Sequence, residues 1–183
     1  MSTEFPKPKE EKKLDKLFWL DMEMTGLDVG KEVIIEVAAI VTDLHFNEKD
    51  TYHCVVKQPQ KYLDAMDDWN QRHHRASGLL DLIPSGKSPD EAERDLLELL
   101  DIHFGQERAI LAGNSIGQDR LFIDKYFKKF SARLHYRMLD VTSWKLIFNN
   151  LYDIKHPKET RHRALDDIRE SIGEMRTYLS HIR

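Results

Sequence analysis

The chain has 183 residues, 40% hydrophobic content and a formal net charge of −4, from 32 acidic against 28 basic residues. That balance argues against a protein that coats long nucleic acid by neutralising phosphates, while leaving short nucleic acid open. A lone cysteine, Cys54, excludes an intrachain disulfide framework, and no apolar run approaches the roughly 18 residues of a spanning helix.

The opening MSTEFPKPKEEKK has neither a secretory apolar core nor the Arg-rich, acid-poor character of an organellar leader. It reads as part of a mobile charged tail over residues 1–16, followed by a single domain over residues 17–183, with the cytoplasm as the expected compartment. In chain order, 17–24, 32–42 and 51–57 read as strands joined by short turns, which forces antiparallel pairing. Residues 62–76 and 89–104 read as helices, 109–113 as a short apolar strand, 118–130 as a helix and 136–141 as a strand, with helices again over 143–151 and 163–181. Ser88 can cap the helix that Pro89 opens, and Asp90 and Glu91 suit its positive end. The expectation is an α/β fold: a mixed five-stranded sheet, starting as a three-strand meander, with helices packed on its faces.

Three segments carry carboxylates in informative places. Along the first strand, Phe18, Leu20, Met22 and Met24 share one face, and Leu17, Trp19, Asp21 and Glu23 share the other. The second face turns acidic at the strand's C-terminal end, where open α/β sheets place ligands. Its two acids are either metal ligands or solvated groups on a strand tail. Around residue 122 an apolar helix stripe of Phe122, Ile123, Tyr126, Phe127 and Phe130 has Asp119 near its centre and Asp124 well away. Asp119 is therefore a ligand candidate, with dipole or cap stabilisation as the alternative. In the last helix, Ala164, Leu165, Ile168, Ile172, Met175 and Leu179 form the buried stripe, placing Asp167 on its flank and Asp166 nearer solvent. His162 lies at that helix's start, between Arg161 and Arg163, where a basic surface turn is the plain alternative.

Taken together, D-x-E on a first strand, an Asp opening a middle helix and H-x4-D at a last helix resemble the DEDDh 3′ to 5′ exonucleases of the ribonuclease H-like fold. WLDMEMTGLD, AMDDWN, LAGNSIGQDR, HYRMLDV and HRALDDI are similar to the oligoribonuclease branch, from about Leu17 to the C-terminus. The resemblance implies Asp21, Glu23, Asp119 and Asp167 as ligands of two Mg2+ or Mn2+ ions and His162 as general base. It implies hydrolysis of very short RNA, chiefly dinucleotides, to nucleoside 5′-monophosphates. Leu27 would wedge between bases and Trp69 would stack on one, although core packing is an equal alternative for Trp69. Ser115, Arg137 and Ser143 would hold a 5′ phosphate, and His135 and Tyr136 would come from the second subunit of a homodimer.

His73 and His74 are adjacent and so should not face one way on a helix; they read as surface or locally hydrogen-bonded residues. Glu36, inside an apolar strand, is expected at an exposed sheet face. The rivals are an exonuclease acting on longer strands and a nuclease-like module that binds nucleotide ends without cutting.

Overall fold

The computed structural model describes residues 14–157 and 163–182. Residues 1–13 of the expected tail, and His162, lie outside them. A five-stranded sheet in the order β3-β2-β1-β4-β5 organises the fold. Its strands are β1 (Lys16–Met24), β2 (Ile34–Asp43), β3 (Glu48–Val55), β4 (Ala109–Gly113) and β5 (Leu134–Asp140). The first three pair antiparallel, as their short connections require, while β4 runs parallel to β1 and β5 parallel to β4 through longer helical connections.

The alternation along β1 sorts two cores. Phe18, Leu20, Met22 and Met24 pack on one face against α4 (Pro89–Phe104), α5 (Ile116–Tyr126) and Phe130 of α6 (Lys128–Ala132). Phe18 is fully buried, a contribution of about 2 kcal/mol for a side chain of that size. On the opposite face Leu17 and Trp19 meet α7 (Val141–Leu151) and α8 (Ala164–Ser180) through Phe148, Ile168, Ile172 and Tyr178. Trp19 also donates from Nε1 to Thr42 Oγ1 at 3.0 Å, so its one polar atom is satisfied in the core.

Two expected helices are each divided. Residues 62–76 resolve into α1 (Gln60–Asp64) and α2 (Asp68–Ala76), because the Asp67 side chain accepts from Asn70 N–H and starts a new helix there. Residues 118–130 divide at Phe127, whose φ of −118° and ψ of 62° are not helical. α6 then restarts under Glu93, whose Oε1 accepts from Lys129 N–H at 2.7 Å and Phe130 N–H at 3.2 Å. A short α3 (Leu79–Leu82) follows α2. The expected start of α4 is present as a full capping box between Ser88 and Glu91. The β2–β3 hairpin is tighter than expected, since the Asp43 carboxylate accepts from the N–H groups of His45 and Asn47 and lets both strands run closer to the turn.

Candidate active site

β1 and β4 pair at Phe18 with Leu111 and Trp19 with Ala112; β4 ends at Gly113 while β1 continues to Met24. The strands approach so closely there that a Cβ on Gly113 would lie 2.7 Å from the Leu20 carbonyl oxygen. Beyond that contact the sheet opens into the crevice that parallel strands of this kind leave at their C-terminal ends. Met22 N–H, past the last β1–β4 pair, donates to Asp119 Oδ1 at 3.1 Å. This bond pulls the first turn of α5 onto the strand end, and it explains why a carboxylate that is 6% exposed sits on the apolar stripe of its helix.

Asp21 and Glu23 continue the Leu17–Trp19 face toward α8. Asp21, Glu23 and Asp167 each offer a carboxylate oxygen, and these oxygens all lie within 4.8 Å of one another. Burial pushes the Asp21 carboxyl well above the usual carboxylate range, with the charges of Asp119, Glu23 and Asp167 adding to it. Burial likewise raises Glu23 to about 8, reinforced by Glu36 and Asp167 and opposed by Arg163. Asp119 is pushed up to about 7 by burial, against the lowering effect of its backbone hydrogen bonds. Crowded carboxylates that resist losing their protons are a site short of positive charge. Four oxygen-bearing side chains without sulfur fit hard divalent cations.

Asp166 and Asp167 are both half-buried, so the expected contrast in exposure is weaker than the helix periodicity suggests. Both line a cavity of about 400 Å³ with His156, Pro157, Arg169, Glu170 and Gly173. Convergence separates them, because only Asp167 joins Asp21 and Glu23.

Glu36 corrects the expectation of an exposed sheet face. Its side chain is fully buried, accepting from Arg163 Nε at 2.9 Å and Nη2 at 2.7 Å, and from Ala164 N–H at 3.4 Å, with His53 Nε2 at 2.6 Å. The pairing ties the start of α8 to the sheet centre, one turn before Asp167. His74 is a second correction. It is buried, and its Nε2 donates to the Met24 carbonyl at 2.9 Å, so it belongs to the core under the strand end and not to the surface.

The remaining candidates divide by location. Leu27 is exposed on a loop that Gln118 Nε2 pins by donating to its carbonyl at 2.7 Å, with Lys125 Nζ donating to Val29 O further along. Trp69 is exposed too, against the core alternative, and stacks on His73 with centroids 4.7 Å apart and 11° between planes. Ser115 starts α5 with a left-handed φ of 49°, held there as its N–H is shared by Asp140 Oδ1 at 3.0 Å and Thr142 Oγ1 at 2.8 Å. Ser143 lies exposed in the first turn of α7. On β5, the rings of His135 and Tyr136 stack at 4.5 Å, and the Arg137 guanidinium lies 5.3 Å from the Tyr136 ring centre.

Sequence reasoning missed the polar link behind Ser115. Thr142 Oγ1 donates to Asn114 Oδ1 at 3.3 Å, while Asn114 Nδ2 reaches Ser171 Oγ at 2.9 Å and Glu174 Oε2 at 3.2 Å on α8. The only sequence signal was an Asn and a Ser directly after an apolar strand.

The RNase_T exonuclease model matches residues 18–175. An oligoribonuclease of Coxiella burnetii is 43% identical over 92% of this chain and 94% of its own length. The chain belongs to the oligoribonuclease family. A human relative, named oligoribonuclease, mitochondrial, is 38% identical over 91% of this chain and 73% of its own. In structure the chain is similar to E. coli exonuclease I in complex with a 5cy-dT13 oligonucleotide, with a TM-score of 0.71 at 12% identity. That match covers 93% of this chain and 42% of the exonuclease I chain, so this chain spans about two-fifths of the larger protein. The likeness establishes the ribonuclease H-like fold.

Proposed function

We propose that the protein is a 3′ to 5′ exoribonuclease that hydrolyses very short RNA, chiefly dinucleotides, to nucleoside 5′-monophosphates. The observation that carries this reading is the convergence of Asp21, Glu23 and Asp167 at the open end of β1, with Asp119 beside them, in a chain of the oligoribonuclease family. Asp21, Glu23, Asp119 and Asp167 would hold two divalent cations, Mg2+ or Mn2+, which when bound polarise the scissile phosphate and the attacking water and offset charge on the departing 3′ oxygen. His162 takes the water's proton on a ring nitrogen, a task suited to an imidazole that titrates near neutrality. Arg163, next to it in the chain, is held by Glu36.

Leu27 and Trp69 grip the bases, and the exposure of both side chains supports this. Ser115, Arg137 and Ser143 hold the 5′ phosphate, with the Arg137 fork meeting two oxygens at once. A closed 5′ end limits the substrate to very few nucleotides. We extend the reading to a homodimer in which His135 and Tyr136 complete the partner's site. Tyr136 at 72% exposed, and the run of exposed apolar residues Leu146, Ile147, Leu151 and Tyr152 along and just past α7, support such an assembly. We assign one exonuclease domain to the chain from Lys16, where β1 begins, through residue 183, with a charged tail ahead of it. Among the described residues no helix is long and apolar enough to cross a membrane. The cytoplasmic assignment rests on the lone cysteine, and localisation by fractionation tests it against the mitochondrial name of the human relative.

A turnover series with Mn2+ on 5′-phosphorylated RNA from two nucleotides upward tests the substrate. Rates should fall steeply beyond the dinucleotide. Equal rates at all lengths would remove the dinucleotide claim, and a dinucleotide bound but uncut would leave a binding module.

A further inference from the structure

Glu23, His73 and His74 bring one carboxylate oxygen and two imidazole nitrogens within 4.8 Å of one another. Consecutive helix residues point about 100° apart, yet two imidazoles can flank a point lying between those directions, and here the point faces the end of β1. His74 is 1% exposed. Because its Nε2–H is given to the Met24 carbonyl at 2.9 Å, its lone pair sits on Nδ1. That Nδ1 is buried without a hydrogen-bond partner among the described residues and lies 3.9 Å from Glu23 Oε2. The Nδ1 lone pair thus faces a Glu23 oxygen at a distance too long for a direct hydrogen bond. A ring whose far N–H is fixed by a backbone carbonyl is the arrangement that orients a metal-ligating histidine. His73 is oriented as well, stacked on Trp69 on one side and edge-on to His74, with centroids 5.4 Å apart and planes at 78°.

We propose that Glu23, His73 and His74 form a separate Zn2+ site, which shares Glu23 with the carboxylate cluster. Two imidazoles and one carboxylate are a zinc donor set with an open position, whereas Mg2+ prefers oxygen alone. Zinc at this site draws Glu23 away from Asp21 and Asp167 and slows hydrolysis. The binding claim stands on the geometry; the inhibition rests on the functional reading above.

The test is titration of metal-free protein with Zn2+ in excess Mg2+ by calorimetry, together with crystals soaked in Zn2+ and measured at the zinc absorption edge. The expected result is one tight Zn2+ per chain, with an anomalous peak between Glu23, His73 and His74. H73F keeps a flat ring against Trp69 but removes both nitrogens, and should weaken zinc binding by about 10-fold or more. In a dinucleotide assay with Mg2+, the zinc concentration that halves the rate should rise by a similar factor in H73F. Zinc found only among Asp21, Asp119 and Asp167, or bound equally by H73F, overturns the site. If the protein with Mg2+ alone leaves the dinucleotide uncut, the functional reading fails, while calorimetry and the anomalous map still decide the zinc site.

Discussion

Glu23 and Glu36 lie directly opposite each other across the β1–β2 ladder, yet their environments push their acidities in opposite directions. Burial and neighbouring carboxylates hold Glu23 at about 8. Burial also works to raise Glu36, but hydrogen bonds from His53 and Arg163 outweigh it and hold its carboxyl below the ordinary value. One glutamate has its counter-charge within the chain. The other stands in a cluster whose counter-charge must come from outside. Two residues of one type on adjacent strands are thus set apart by what α8 places above each: Arg163 over Glu36, Asp167 beside Glu23.

The largest way to break the contrast is to remove a carboxylate from the cluster. D119A should lower dinucleotide turnover by about 1,000-fold or more, the loss expected when several kcal/mol of transition-state stabilisation disappears. The Asp119 bond to Met22 N–H also goes, so a thermal melt must accompany the assay. A turnover within about 10-fold of the unmodified protein would remove Asp119 from the machinery.

Supplying the missing charge comes next. Mn2+ at about 100 times its dissociation constant should stabilise the folded protein by about 2.7 kcal/mol. Chelation should reverse the gain, and D21N should show much less of it. An equal rise in melting temperature for both proteins would show that the ions act elsewhere.

Breaking the internally paired glutamate should cost stability. E36A leaves the Arg163 guanidinium without its carboxylate, and because that guanidinium keeps some solvent access, the cost should be about 2 kcal/mol, below the range for fully buried pairs. Since the folded-state acidity of Glu36 is raised relative to the unfolded chain, its contribution is fully present above an unfolded pKa of about 4.3 and is lost as pH falls through the lower folded value. Acid melts should therefore show a smaller loss of stability below about pH 4 in E36Q than in the unmodified protein; parallel curves would deny the pairing its role.

The same contrast marks what the sequence made legible. Alternation along β1 placed Asp21 and Glu23 on the face that meets α8, and helix periodicity put Asp119 on a buried stripe, because these are local patterns with periods of 2 and 3.6 residues. The antiparallel pairing of the first three strands followed from connection lengths, and the start of α4 from Ser88 and Pro89. Glu36 and His74 were misread because their partners, Arg163 and the Met24 carbonyl, are distant in the chain and no local period points to them. The divided helices show the same limit at short range. Asp67 competes for the backbone of its own segment, while Phe127 leaves the helix to bury its ring and Glu93 restarts it from another element. His162 falls outside the described residues, so its place rests on the motif alone.

The smallest expected effect is also the sharpest test of how α8 presents its acids. Asp166 and Asp167 are neighbours, both half-buried, and both line the same cavity. Their N–H groups bond to the same carbonyl, Arg163 O, at 2.9 and 3.0 Å. Composition, burial and first-turn dipole therefore treat them alike, and only direction distinguishes them, since Asp167 alone reaches the oxygens of Asp21 and Glu23. D166A should retain turnover within about 3-fold, because a substitution away from the reacting groups costs only a few tenths of a kcal/mol. D167A should match the D119A loss. Comparable defects in D166A and D167A would mean that the helix acts through its net acidity, and the assignment of Asp167 by direction would fall.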